Sequence, residues 1–184
     1  MILLIALSGG LHIDGLADTA DGFFSSRPRE RILEIMRDSR TGPMGVAAIV
    51  CVVVLKVALF ASVAWSDRAW VLLLTPVAGR CALLVQMALL PYVRPEGLAG
   101  VFHANRSRIH LLWAPMFLVT AGFLAGGVPG VIAGGLSLLF ALFFAAYIRR
   151  RIGGLTGDTL GAACEWTELA PAFTAAAWLH GGFA

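Results

Sequence analysis

Charged residues and cysteines are both scarce in this chain. Asp, Glu, Lys and Arg make up 14% of its 184 residues, whereas hydrophobic residues make up 59%; soluble domains average about 25% and about 45–50%. The three cysteines lie inside apolar stretches without C-x-x-C spacing, which argues against a disulfide framework or a metal site and predicts small buried hydrophobes. These shortages exclude an ordinary soluble domain and predict one integral membrane domain over residues 1–184.

The sequence contains several long apolar segments. Each is long enough to cross about 30 Å of hydrocarbon as a helix; they are 43–65, 69–92, 109–126, 129–148 and 161–183. The opening segment, from Met1 to about Ala20, predicts a further helix and lacks the basic region of a signal peptide. The predicted fold is therefore all-α, a polytopic transmembrane bundle of about six helices.

The basic residues are distributed unevenly between the predicted connections. The alternate connections hold only Arg68, whereas eleven of the 14 cations lie in three loops, at Arg27, Arg29, Arg31, Arg37, Arg40, Arg94, Arg106, Arg108 and Arg149 to Arg151. Cytoplasmic loops carry an excess of Lys and Arg. This count predicts that the three basic loops face the cytoplasm and that the C-terminus faces outward.

An acidic motif, HIDGLADTADG, follows the first apolar run. A helix would place Asp14, Asp18 and Asp21 on one face, where like charges repel. A cation relieves that repulsion, and hard carboxylate oxygens suit Mg²⁺, which usually takes one or two carboxylates, several waters and substrate phosphates. The motif therefore predicts an acidic, cytoplasm-facing metal site; the alternative is a solvated acidic face at a helix end.

A second acidic stripe follows the last basic loop, on the same predicted side of the membrane. Asp158, Glu165 and Glu168 share one face if this segment is helical. Two stripes at one depth could hold a pair of divalent ions with a phosphate between them. The alternative is an interfacial ion network in which these glutamates pair with residues 149–151.

Phosphate chemistry also needs cations and backbone donors. Arg37, Ser39 and Arg40 lie just before a Gly42–Pro43 break, which predicts a helix start able to bind an anion. Arg80 lies inside a predicted span, where a charge faces a polar cavity or an ion-pair partner. Lys56, also inside a span, either snorkels or faces the same cavity.

The motifs resemble those of the cobalamin (5'-phosphate) synthase family, the adenosylcobinamide-GDP ribazoletransferases. The resemblance covers nearly the whole chain and rests on HIDGLADTADG, RILEIMRDSRTGPMG and GGLTGDTLGAACEWTE, with PYVRPEG between them. It implies a multi-pass enzyme of the bacterial or archaeal cytoplasmic membrane. Such an enzyme transfers the adenosylcobinamide phosphate moiety from its GDP-activated form to α-ribazole or its 5'-phosphate, releases GMP and requires Mg²⁺.

The resemblance also carries over residue by residue. The second motif falls on Asp38, Ser39, Arg40 and Gly42, and the third on Gly154, Thr156, Gly157, Asp158 and Glu165. The predicted metal ligands are Asp14, Asp18, Asp21 and Glu168. The predicted phosphate-binding residues are Arg37, Ser39, Arg40 and Arg80. The predicted catalytic residues are Asp158 and Glu165, with His12 as an alternative general base.

Two departures from the family pattern stand out. Family members usually begin with a further hydrophobic segment, so this chain is expected to lack an N-terminal helix. Cys164 stands where an Asn is common, and a thiol cannot supply the hydrogen bonds of an amide.

Other classes of protein remain as alternatives. One is a Mg²⁺-dependent membrane phosphotransferase of the CDP-alcohol type, although the DG-x-x-A-R start associated with that family is absent. Another is a cation-coupled transporter, and a third is a structural membrane subunit. The expected partners are the two substrates and the lipid bilayer, without nucleic acid; an oligomer is compatible with the sequence.

Overall fold

The chain is built almost entirely of helices. A computed structural model describes residues 5–6, 8–94 and 107–180, and within these ranges it contains no strand, only an isolated bridge between Tyr92 and Leu155. The α-helices are α1 Leu11–Phe23, α2 Arg29–Ile35, α3 Pro43–Ser62, α4 Arg68–Leu89, α5 His110–Ile152, α6 Gly157–Thr167 and α7 Ala170–His180, with a 3₁₀ turn at Trp65–Asp67. The all-α fold predicted from the sequence is confirmed.

Three helical segments of the described chain are long and apolar enough to cross a membrane. They are Pro43–Ser62, Trp65–Leu89 and His110–Ile152. Helix α3 buries only Gly45, Val52 and Lys56, so most of its apolar side chains face outward. A helix that is apolar all round and exposed on most of its surface is suited to a lipid environment, which supports the membrane domain predicted from composition.

Helix α5 is a hairpin of two arms. Gly127 has φ 58° and ψ −135°, a backbone conformation that breaks the helix and that glycine adopts without steric cost. The arms 110–126 and 128–152 then run back against each other, with the backbones of Gly122 and Gly130 in direct contact. The two spans predicted at 109–126 and 129–148 are thus both present, joined at the predicted connection.

The last predicted span, 161–183, differs from the structure. Two short helices, α6 and α7, meet at a turn around Glu168 and Leu169. Pro171 is the second residue of α7, and its missing N–H and its ring prevent the helix from continuing through Thr167. Apolar length alone therefore predicted one continuous helix where the chain makes two.

The opening helix also differs from its predicted bounds. Helix α1 begins at Leu11 after a turn in which Gly9 and Gly10 have φ 59° and 77°, and it ends at Phe23. With 13 residues it is shorter than the roughly 20 needed to span a bilayer. Residues 1–4 and 7, which belong to the predicted opening helix, lie outside the described residues.

Helices α1 and α6 pack closely and antiparallel, which positions the site. A side chain at Gly15 would lie 2.7 Å from the carbonyl oxygen of Asp158, and one at Gly161 would lie 3.0 Å from that of His12. Glycine at both positions lets the two backbones touch, so the start of α6 lies beside the middle of α1. Asp158, in the first turn of α6, is thereby brought beside the acidic face of α1.

Candidate active site

The centre of the candidate site is the acidic face of α1 and the first turn of α6. Asp14 is exposed and Asp18 half-buried, both outside the helices long enough to cross a membrane. Burial, together with the negative charges of Asp158 and Asp14, raises the pKa of Asp18 to about 7. These three carboxylates therefore interact electrostatically.

Asp158 has its own cationic partner. Arg94 Nη2 lies 2.6 Å from Asp158 Oδ2, and their side chains are 14% and 18% exposed. Burial raises the pKa of Asp158, while the charge and the hydrogen bond of Arg94 lower it, so the two effects oppose each other. The helix that carries this carboxylate begins at a capping box formed by Thr156 and Thr159. Two residues of the third motif, Thr156 and Asp158, therefore have structural partners within the site.

Asp21 caps the start of α3. Its two carboxylate oxygens accept hydrogen bonds from the backbone N–H groups of Gly42 at 2.6 Å and Gly45 at 2.8 Å. The helix start predicted at Gly42–Pro43 as a phosphate site is thus occupied by a carboxylate of the chain itself. The negative charge at this position fits the helix dipole, and this contact accounts for the third aspartate of the motif without a metal.

The second motif lies beside a cavity of about 460 Å³. Arg40 pairs with Asp38 at 2.7 Å, and its hydrogen bonds hold the pKa of Asp38 low, at about 2. Arg37 and Ser39 are exposed. Thr41 lines both this cavity and a second one of about 410 Å³ that includes Asp14. Of the predicted phosphate-binding residues of this motif, Arg40 lines the larger cavity, next to the acidic face, whereas Arg37 and Ser39 line neither cavity.

Glu165 and Glu168 belong to a different group, deeper in the bundle. Lys56 Nζ lies 2.6 Å from Glu165 and 2.8 Å from Glu168, and Arg80 Nη1 lies 2.7 Å from Glu168. The two glutamates follow Asp158 by seven and ten residues, about 10 and 15 Å along a helix. The prediction that the whole second stripe shares one depth with Asp14 is therefore wrong, because the stripe extends along α6 into the bundle.

This buried ion cluster also answers two questions that the sequence left open. Arg80 forms an ion pair with an acid, and Lys56 is 1% exposed rather than snorkelling to the surface. The expected partners of the glutamates in the alternative interpretation were residues 149–151; the structure pairs them with Lys56 and Arg80 instead. The predicted catalytic role of Glu165 and metal role of Glu168 stay predictions, and both carboxylates already have cationic partners.

His12 lies on α1 between the two groups. Burial lowers its pKa, and the positive charge of Arg80 lowers it further, against the opposing charges of Glu165 and Glu168. A lowered pKa favours the neutral imidazole, the state that a general base requires. Its backbone, however, packs against Gly161, and its electrostatic neighbours are the buried ions rather than Asp14 or Asp18.

The carboxylates fit a magnesium ion in donor chemistry. No group of three or more His, Cys, Asp and Glu side chains within the described ranges is arranged to hold a metal. The contacts explain this, since Asp21 binds backbone amides and Asp158 binds Arg94. Asp14 and Asp18 remain, and Mg²⁺ usually takes only one or two carboxylates, with waters and substrate phosphates completing its shell.

Arg94 is a residue of the candidate site that the sequence does not single out. Nothing in its local sequence distinguishes it from the other loop cations. Its pairing with Asp158 joins residues 64 positions apart. The one available signal was the resemblance of its PYVRPEG segment to the family, which did not indicate a role.

The fold and site together define a class: helical membrane proteins with a carboxylate-rich site at one end of the bundle. Within that class, the chain belongs to the cobalamin-5-phosphate synthase family, whose profile matches residues 1–176. No solved structure matches the chain.

Curated relatives support the same assignment. The chain is 38% identical over 168 residues to the adenosylcobinamide-GDP ribazoletransferase of Desulforamulus reducens, covering 91% of this chain and 68% of that protein. It is 41% identical over 172 residues to the protein of the same name from Acetivibrio thermocellus, covering 91% and 69%. With that of Citrobacter koseri the identity is 40% over 172 residues, covering 92% and 70%.

Proposed function

We propose that this protein joins adenosylcobinamide-GDP to α-ribazole, or to its 5'-phosphate, and releases GMP with the help of Mg²⁺. The observation that carries the proposal is the approach of Asp158 to Asp14 and Asp18 across the Gly15–Gly161 contact. Family membership and the names of the relatives support the same reaction. We further propose that the site faces the cytoplasm, because it lies at the end of the bundle that carries the Arg-rich loops.

The reaction is a displacement at phosphorus. A hydroxyl oxygen of the ribazole attacks the phosphorus attached to the cobinamide side. A new P–O bond forms, the phosphoanhydride bond to GMP breaks, and the hydroxyl proton passes to a carboxylate. Bound Mg²⁺ would supply charge neutralisation to the pyrophosphate and to the leaving GMP.

The residues of the chain take three parts in this scheme. Asp14 and Asp18 would hold the metal, because neither has an ion-pair partner among the described residues. Asp158 would accept the proton, since it lies beside the acidic face of α1 and burial raises its pKa. Arg40, which lines the 460 Å³ cavity, would contact the phosphates of the nucleotide.

A GMP-release assay tests the proposal. Membranes carrying the protein are incubated with adenosylcobinamide-GDP, α-ribazole and Mg²⁺, and GMP is measured by chromatography. We expect Asp14→Asn and Asp18→Asn each to lower the rate by at least about a hundredfold, as for the loss of electrostatic stabilisation of a transition state.

The matched control is Asp67→Asn. Asp67 accepts a hydrogen bond from Trp70 in the turn before α4, at the far end of that helix, and its change should leave the rate unaltered. Wild-type turnover in both motif variants would overturn the proposal. A phosphotransferase of the CDP-alcohol type releases CMP rather than GMP. A parallel incubation with a CDP-activated lipid therefore tests that alternative by its CMP product.

A further inference from the structure

Backbone hydrogen bonds hold the segment that carries Arg94 close to the loop before Asp158. Val93 N–H donates to the Leu155 carbonyl at 3.0 Å, and Leu155 N–H donates to the Pro91 carbonyl at 2.8 Å. This short parallel bridge ties the end of the segment after α4 to the loop before α6. The guanidinium is thereby delivered to the first turn of α6, where Asp158 lies.

The guanidinium uses only part of its hydrogen-bonding capacity. Its Nη2 binds Asp158 and also donates to the Met36 carbonyl at 3.2 Å. Its Nε is buried and has no hydrogen-bond partner among the residues that the structure describes. A buried donor without an acceptor is costly, because the group has lost its water. A planar guanidinium with a spare donor is suited to bidentate binding of phosphate.

The carboxylate that Arg94 holds is also the one next to the candidate metal ligands. A side chain at Gly15, the residue that follows Asp14, would lie 2.7 Å from the carbonyl oxygen of Asp158, so α6 begins beside the acidic face of α1. A divalent cation at Asp14 and Asp18 would therefore attract Asp158 and repel Arg94. Two cations that share the carboxylate of Asp158 would repel each other.

We propose that Arg94 and a divalent cation compete for Asp158, and that cation binding frees Arg94 to bind a phosphate oxygen of the pyrophosphate substrate. The inference rests on the proposed function and assigns Arg94 a role in that site. In this proposal, Arg94 neutralises Asp158 before the cation and substrate bind, and binds a phosphate oxygen afterwards. The simpler alternative is a permanent ion pair that fastens the segment 91–94 to α6.

Mn²⁺ binding to the purified full-length protein distinguishes these two roles without any cobinamide substrate. Free Mn²⁺ is measured by electron paramagnetic resonance for wild type, Arg94→Gln and Arg94→Lys. If the two cations compete, Arg94→Gln should bind Mn²⁺ about tenfold more tightly than wild type. This factor corresponds to removing the Coulomb repulsion between a unit charge and a divalent ion about 6 Å apart in water. Arg94→Lys keeps the charge and should bind as wild type does.

The control is Arg68→Gln, which removes a guanidinium at the opposite end of α4, about 33 Å away along that helix. Its Mn²⁺ affinity should equal that of wild type. Unchanged or weaker Mn²⁺ binding in Arg94→Gln would overturn the inference, as would the absence of Mn²⁺ binding by wild type. In the second arm, GDP binding at saturating Mn²⁺ should weaken about tenfold in Arg94→Gln, the loss of a charge-assisted phosphate contact.

A measurement on wild type alone covers the case in which Arg94 variants fail to fold. Phenylglyoxal modifies accessible arginines, and mass spectrometry reports the extent at each peptide. Mn²⁺ should increase modification of Arg94, added GDP should reverse that increase, and Arg68 should be unaffected. Modification of Arg94 that is indifferent to Mn²⁺ would support the permanent ion pair. The Mn²⁺, GDP and phenylglyoxal measurements contain no cobinamide substrate. If they give the expected results and only the GMP-release assay fails, the proposed function is wrong and the competition at Asp158 still holds.

Discussion

Replacing Lys56 by Met tests whether charge balance stabilises the buried ion cluster. Lys56 is 1% exposed, and its ammonium contacts both Glu165 and Glu168. With Arg80, whose side chain is 43% exposed, the four side chains sum to zero charge, whereas Met leaves one surplus negative charge on two buried glutamates. Removing one partner of a buried ion pair costs about 3–5 kcal/mol, so we expect Lys56→Met to lower the free energy of unfolding by that amount.

The second step of the test restores the balance. Adding Glu165→Gln to Lys56→Met leaves Arg80 and Glu168 as a neutral pair, so we expect the double variant to be about 2 kcal/mol more stable than Lys56→Met. Unfolding in mixed micelles with increasing SDS, followed by circular dichroism, measures each free energy. Exposed Arg150 provides the control, since Arg150→Met should change stability by no more than about 0.5 kcal/mol. A double variant no more stable than Lys56→Met would refute the argument from charge balance.

Two further predictions concern the acidic face. Gly15→Leu should abolish GMP release, because its side chain would overlap the backbone of Asp158, whereas Gly135→Leu points into open space and should retain activity; an active Gly15→Leu would contradict the packing. The raised pKa of Asp18 favours its neutral form in the folded state, so without divalent cations stability should fall as pH rises from about 4 through about 7. Mg²⁺ should abolish that fall, and thermal unfolding that is independent of pH over this range would contradict it.

Part of the site was accessible from sequence because it depends on local geometry. The spacing of Asp14, Asp18 and Asp21 predicts one helical face, and all three do lie on α1. Spacing could not reveal that Asp21 would bind the amides of Gly42 and Gly45, because that contact depends on where α3 begins in space. The same reasoning found the acids of α6 but placed them all at one depth, since it ignored the length of the helix itself.

The predicted spans also agree with the structure where they depend on composition and differ from it where they depend on tertiary contacts. Hydropathy located α3, α4 and both arms of the α5 hairpin, because each is long and apolar. It failed at 161–183, where a proline near the start of α7 divides an apolar stretch into two helices. Proline is tolerated in membrane helices in general, so its effect at one position depends on what satisfies the neighbouring carbonyls.

The sequence by itself determined the membrane environment, the helical fold class, the family and the acidic face of α1, because these depend on composition, periodicity and local motifs. Tertiary structure alone decided which charges meet. Lys56 reaches Glu165 across 109 positions, and Arg94 reaches Asp158 through a bridge between two loops. The physical reason is that charge pairing depends on distance in space, which the packing of helices and loops determines. In the same way, the backbone contact at Gly15 and Gly161 determines where Asp158 lies relative to the acids of α1.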